Sequence, residues 1–231
     1  ITGICNFNDY VFISFDNKII KMHYNHLIQA ISFDFIILNT MILDKMLLVL
    51  GNNQTISLYE SNSLKLIKNI YLGKNIKNVY HPKGYLNKMI FFSYESMFMI
   101  NLNTEQVIFD FTSQIELKDI ILNNQLKDIY DSSVADVVIL VFNKGLVISM
   151  NLKTCEIYFK FEHKNEVTGI CFSSLEMNKP RMFVSLENGN IFIWDLTTKT
   201  LERKHKNEMI NNISMLYNIK LQNQDLFLVG S

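Results

Sequence analysis

The residues able to hold a metal or move a proton are few and scattered. The five histidines are His23, His26, His81, His163 and His205. His23 and His26 stand three apart, which along one strand puts them on opposite faces. No Asp or Cys accompanies them at ligand spacing, so no metal site is expected. His81-Pro82 reads as a rim loop. The three cysteines, Cys5, Cys155 and Cys171, read as reduced, buried thiols, because their number is odd and no two have ligand spacing. Acidic pairs such as Asp34 with Asp44, or Glu202 with Glu208, have no spacing suited to acid–base work and read as solvated loop charge. The chain has no Gly-x-Ser-x-Gly elbow, no glycine-rich phosphate loop and no His-Glu-x-x-His. No catalytic residue and no cofactor is therefore assigned. Basic residues gather at Lys65 and Lys68, at Lys74, Lys77 and Lys83, and at Arg203-Lys204-His205-Lys206. The last run could touch phosphate, but few aromatics interleave with these cations, and it reads as a solvated turn.

Composition narrows the class further. Lys and Arg number 22 against 22 Asp and Glu, which removes any argument from a globally basic surface for nucleic-acid binding. Apolar residues make up 48% of 231, ample for a packed core. The most apolar stretch, Leu27 to Leu43, is interrupted by Gln29, Asp34 and Asn39, too short and polar to span a bilayer. Only 8 Gly and 2 Pro serve many turns, so Asn is expected to stand in for Gly at several of them.

The elements that must position these residues are short strands. In 188–201, Asn188-Gly189 opens a strand and Thr197-Thr198-Lys199 closes it. Between them apolar residues alternate up to Trp194-Asp195, the only Trp in the chain. A Trp-Asp pair ending such a strand is the per-blade mark of a WD-repeat propeller. Trp194-Asp195-Leu196 aligns with Met150-Asn151-Leu152, Ile100-Asn101-Leu102 and Tyr59-Glu60-Ser61, at steps of about 40 to 50 residues. A second marker agrees: Ile1-Thr2-Gly3-Ile4-Cys5 nearly repeats as Val167-Thr168-Gly169-Ile170-Cys171. Weaker first-strand copies are Ile76–Tyr80, Leu117–Ile121 and Ile210–Ser214.

The expected fold is thus all-β, an incomplete WD-repeat β-propeller of about five and a half four-stranded blades out of a seven-bladed ring. The blades run 1–34, 35–73, 74–113, 114–163, 164–205 and 206–231, the last a part containing strands Met209 to Tyr217 and Asp225 to Val229. Asn123 to Ser133 reads as the longest loop, and little helix is expected. The chain does not begin with Met, and a part blade exposes an apolar face, so further blades are expected in the natural protein. A tight six-bladed monomer would contradict this. WD blades are commonly braced by a polar set, here Trp194, Ser185 and His163, with Asn188 where an Asp would stand. Asn brings no charge to fix the imidazole, so the brace is expected to be weakened.

Three segments go beyond a generic propeller. His81-Pro82-Lys83-Gly84-Tyr85-Leu86-Asn87-Lys88-Met89-Ile90 resembles the His-Pro-x-x-Tyr-Leu-Asn-Lys-Ile segment of the tandem-propeller WD-repeat subunit of the small-subunit processome UTP-B complex, the utp twenty-one type. Val134-Ala135-Asp136-Val137-Val138-Ile139 is similar to that family's next-blade segment, and Val167 to Leu196 to the blade after it. Asn143-Lys144, in place of a more Gly-rich turn, and Asn188 depart from it. The resemblance implies most of the first of two propellers, without a catalytic centre. It also implies a nuclear, nucleolar scaffold in ribosome biogenesis and small-subunit rRNA precursor processing. Its partners would be other processome subunits, with peripheral contact to the rRNA precursor or small nucleolar RNA, and no membrane or small-molecule substrate. The alternative is a WD-repeat interaction module of another assembly, such as a vesicle coat or a ubiquitin-ligase adaptor.

Overall fold

The computed structural model describes residues 1–132, 134–173 and 180–206, and the backbone of 215–221 and 224–230. The chain divides into two compact units, Ile1–His81 with Asn87–Asp110, and Pro82–Leu86 with Phe111–Ser231. The first unit holds three antiparallel four-stranded sheets in chain order. Their strands are β1 (Gly3–Phe7), β2 (Tyr10–Phe15), β3 (Lys18–His23) and β4 (His26–Ser32); β5 (Ile37–Leu43), β6 (Met46–Gly51), β7 (Thr55–Glu60) and β8 (Leu66–Tyr71); β9 (Asn78–Tyr80), β10 (Lys88–Phe92), β11 (Met97–Asn101) and β12 (Gln106–Asp110). The second unit holds helix α1 (Ile115–Asn124) and two more such sheets. These are β13 (Leu126–Asp131), β14 (Val137–Phe142), β15 (Leu146–Asn151) and β16 (Ile157–Glu162), then β17 (Val167–Phe172), β18 (Arg181–Leu186), β19 (Asn190–Asp195) and β20 (Thr200–Lys206). The strands β21 (Met215–Leu221) and β22 (Gln224–Gly230) pair with each other. Met209 to Ser214 lie outside the described residues, and β21 runs on past Tyr217 to Leu221.

Continuous apolar runs mark strands buried on both faces. In β6, Leu47 and Val49 pack with Phe12, Ile19 and Ile37, while Leu48 and Leu50 pack with Ile56, Val79 and Phe91. Successive side chains point to opposite faces, so a strand between two other sheets must be apolar at every position. In β14, Val-Val-Ile-Leu-Val-Phe is likewise buried throughout. Each such side chain contributes about 1.5–3 kcal/mol by leaving water.

The repeat marker has a physical cause in the turn after each third strand. Asp195 Oδ1 accepts the backbone N–H groups of Thr197 at 2.8 Å and Thr198 at 3.0 Å. Asn151 Oδ1 accepts those of Lys153 at 2.8 Å and Thr154 at 3.1 Å, and Asn101 Oδ1 that of Asn103 at 2.9 Å. The carboxamide copies keep the same side-chain turn, because only an acceptor oxygen is needed. One residue earlier, each third strand slips register against the fourth: at Leu58/Tyr59, Met99/Ile100, Ser149/Met150 and Ile193/Trp194. The first sheet does so at Lys21/Met22, a fifth copy that Met22-His23 hides in the sequence.

Four expectations are corrected. Leu117–Ile121 is not a first strand but lies in α1, where Leu117 and Ile121 are buried one turn apart and Glu116 sits in the first turn. Asn123 to Ser133 is not a long loop, for Leu126–Asp131 is the first strand of its sheet. A bulge between Leu126 and Asp128 breaks the alternation that would have revealed it. Arg203-Lys204-His205-Lys206 is not a turn but the exposed end of β20, pairing with β19. His23 and His26 are not on one strand; they face each other across the β3–β4 turn.

The turns solve the glycine shortage differently from expected. Among the described residues, twelve non-glycine positions have positive φ, and Asn8 is the only asparagine. The others include Asp16, Asp44 and Asp136, but also Tyr24, Leu64, Glu105, Lys144 and Cys155. Each costs about 1–2 kcal/mol in backbone conformation. Three of them close equivalent turns by donating to the residue four back: Leu64 N to Glu60 O at 2.8 Å, Glu105 N to Asn101 O at 2.8 Å and Cys155 N to Asn151 O at 2.9 Å.

Other unexpected features lie inside. Lys21 is 2% exposed, donates to the Asn62 carbonyl and holds its ammonium 4.0 Å from the Tyr10 ring centre. Burial lowers its amine pKa below the ordinary value. Of the cysteines only Cys171 is buried; Cys5 and Cys155 are half-buried, and no two of them form a disulfide. Burial pushes the Cys5 thiol up to about 11.

Candidate interaction surface

Two of the family-like segments meet in the second unit. Loop 82–86 arrives beside the β13–β14 turn, and the Tyr85 hydroxyl donates to Asp136 Oδ1 at 2.7 Å. Asp136 Oδ2 accepts from Lys153 Nζ at 2.7 Å. Its backbone carbonyl accepts Leu152 N at 2.7 Å, so the residue joins three chain segments. The ammonium and phenol hydrogen bonds lower the Asp136 carboxyl pKa, while burial and that carboxylate push the Tyr85 phenol up to about 12. Both groups therefore keep the protonation states of the tether at neutral pH. The Lys83 N–H donates to Asp131 Oδ1 at 3.2 Å, fixing the other end of the loop. A cavity of about 270 Å³ opens among Pro82, Tyr85, Asp131, Val134, Val137 and Leu152. Its lining combines apolar side chains with the carboxylates of Asp131 and Asp136.

The remaining residues of the 81–88 segment serve the neighbouring sheet or solvent. Asn87 accepts Leu102 N through its carbonyl at 2.8 Å, and Lys88 begins β10 opposite Asn101. His81 follows β9. Leu86 is 83% exposed, an apolar side chain with no burial to account for it.

The four residues expected to brace the fifth sheet form separate contacts. Trp194 stacks on Phe161 with ring centres 3.7 Å apart and planes at 13°. His163 meets Trp194 edge-on at 5.8 Å and Phe192 at 4.9 Å. Ser185 Oγ donates to Gly169 O at 3.2 Å and bonds Thr168 Oγ1 at 3.1 Å. Asn188 Nδ2 donates to Asn165 Oδ1 at 2.7 Å, and its own Oδ1 accepts Asn190 N at 3.2 Å. Neither His163 Nε2 nor Trp194 Nε1 bonds another described residue. Ring packing, not a polar relay, joins His163 to Trp194, which explains why Tyr59, Ile100 and Met150 can occupy the equivalent position.

The repeated pentapeptide has a mechanism that spacing alone did not reveal. In the first sheet Thr2 Oγ1 donates to Ser14 Oγ at 3.1 Å, and Ser14 Oγ bonds Gly3 O at 3.2 Å. This is the Thr168–Ser185–Gly169 arrangement again. Signals for it were present as Ser14 and Ser185, each inside an apolar strand.

Burial depresses the pKa of His163 to about 4. The unfolded chain therefore binds the extra proton first, near the ordinary histidine value of about 6.5. Stability contributed by the neutral ring is complete above that value and falls as pH drops from about 6.5 toward 4. Chemical denaturation across this range is expected to show that slope, and His163→Gln should flatten it.

Several basic side chains are engaged. Lys68 Nζ pairs with Glu105 at 2.9 Å, Lys74 Nζ with Asp110 at 3.7 Å, and Lys204 Nζ lies 5.4 Å from the Phe192 ring centre. Arg181 grips Glu202 through two bonds of 2.6 and 2.8 Å. No group of three or more His, Cys, Asp or Glu able to hold a metal occurs among the described residues. No helix among them is long and apolar enough to cross a membrane.

Against this geometry the comparisons are decisive for family. The family model for the WDR36/Utp21 first beta-propeller matches residues 1–229. The chain belongs to this family. Its fold is that of a WD-repeat β-propeller, as the solved structures similar to it also show. BBS1N in complex with ARL6DN matches with a TM-score of 0.72 at 14% identity, over 99% of this chain and 73% of that one. The WD40 beta propeller domain of Doa1 gives 0.66 at 13%, over 99% and 74%. The computationally designed Ika8 protein gives 0.68 at 13%, over 99% and 67%. At such identities the likeness concerns fold alone. No curated protein sequence matches the chain. WD-repeat propellers of this family are ribosome-biogenesis scaffolds, typically without catalysis.

Proposed function

We propose that this member of the WDR36/Utp21 family is a non-enzymatic scaffold of the small-subunit processome, acting within UTP-B in rRNA precursor processing in the nucleolus. Other processome subunits are its partners, and contact with the rRNA precursor or small nucleolar RNA is peripheral. The observation that carries the reading is the meeting of two family-like segments at Tyr85 and Asp136, beside an open cavity and the exposed Leu86. A tethered loop presenting an apolar side chain next to a pocket lined by apolar residues and two carboxylates suits a protein partner better than a small substrate.

The test is affinity purification of the tagged full-length protein from cells. Wild type is expected to recover processome subunits and rRNA precursor. Leu86→Asp should lower that recovery at least several-fold, and Tyr85→Phe should lower it less, with the propeller still folded by circular dichroism. Failure of wild type to recover processome subunits would sink the function. Full recovery by both variants would sink the placement of the docking surface.

A further inference from the structure

The five complete sheets differ in how their outer strands meet solvent. Such an edge carries unpaired N–H and C=O groups, and charge is the usual guard against pairing with another chain. The outer strand β8 carries Lys68, β12 carries Asp110, β16 carries Lys160 and Glu162, and β20 carries Glu202, Arg203, Lys204 and Lys206. The strand β4, His-Leu-Ile-Gln-Ala-Ile-Ser, carries no Lys, Arg, Asp or Glu. It is seven residues long and pairs only on its β3 side among the described residues. Leu27 is 62% exposed and Ile28 53%, with Tyr24 at 73% in the adjoining turn.

The sequence of this edge is also compatible with itself. Paired antiparallel about Gln29, His26 opposes Ser32, Leu27 opposes Ile31, Ile28 opposes Ala30, and Gln29 opposes Gln29, with the bulge at Ile28, between the Lys21–Gln29 and Met22–Leu27 pairs, as the one irregularity along the strand. Every cross-strand pair is apolar or uncharged polar, and no like charges meet. A two-fold axis through Gln29 satisfies the requirement that residue i meets j while j meets i. The same operation on β20 would set its basic residues against one another.

The geometry points to β4 as a self-association surface that pairs antiparallel with β4 of a second copy of this chain, extending the first sheet across the two-fold. The inference is independent of the proposed function and of the surface at Tyr85. A single strand pair is a small interface, so association belongs with transient contacts.

Sedimentation equilibrium of the full-length protein from roughly 10 μM to roughly 500 μM, the range suited to a small interface, is expected to show concentration-dependent dimer. Ile28→Lys should abolish it without changing the circular dichroism spectrum. Under mild oxidation Gln29→Cys should yield a disulfide-linked dimer above the wild-type background, since opposed Cβ atoms lie about 4.5–5.5 Å apart. Ser32→Cys should not, because its two copies would stand on the order of 20 Å apart. A monomer at every concentration, a dimer insensitive to Ile28→Lys, or equal cross-linking by the two cysteine variants would each overturn the inference.

Discussion

Trp194→Ala is expected to destabilise the second unit by about 2–4 kcal/mol, somewhat below the roughly 3–5 kcal/mol for truncating a fully buried aromatic because Trp194 is half-buried. The indole stacks at 3.7 Å on Phe161, which stacks in turn on Phe159 at 4.6 Å. It also covers Met182, Val184 and Ile170 in the core shared by the fourth and fifth sheets. Truncation leaves a void between two sheets whose backbones are held by their own ladders, so the site cannot close easily. Trp194→Phe should recover most of the loss, because the indole N–H has no partner among the described residues. Denaturant melts of the two variants check this. If Phe proves as damaging as Ala, a polar role for the indole would replace the packing account.

Gly145→Ala is expected to cost about 3 kcal/mol or more, comparable to the Trp194 truncation. Gly145 has φ +79, where an L side chain is strained by about 1–2 kcal/mol. Its added Cβ would also lie 2.5 Å from the carbonyl oxygens of both His163 and Asn165. Those atoms are backbone, and His163 N is already bonded to Gly145 O at 3.0 Å, so the turn cannot yield without losing that bond. A melting temperature near wild type would show that the β14–β15 turn shifts more freely than this packing allows. Neighbouring Lys144 also has positive φ, at 62°, and bears its side chain in the place of the family's more Gly-rich turn.

Particular residues show how far the sequence was legible. The period was readable from Trp194-Asp195, Met150-Asn151 and Ile100-Asn101 because these three copies keep the side-chain oxygen that caps the turn. The first copy, Met22-His23, was not readable, since imidazole does not resemble a turn-capping Asp or Asn. Helix α1 escaped because ten residues with only Leu117 and Ile121 buried give too short a stripe. The strand Leu126–Asp131 escaped because a bulge shifts its alternation by one. Of the candidate surface, Tyr85 and Asp136 were each named from the family resemblance. Their hydrogen bond spans 51 residues, and no local pattern encodes a pair so far apart.

By itself, the sequence determined the class of fold, the repeat and the family, because strand alternation, turn capping and short motifs are local and survive as residue types. Only the tertiary structure decided what those residues do. It joined loop 82–86 to Asp136, buried Lys21 against Tyr10, and gave Trp194 and His163 an edge-on ring contact where a polar brace was expected. It also left β4 as an uncharged outer edge. Contacts of this kind depend on which strands become neighbours in space, and that is set by packing of whole sheets rather than by any one segment.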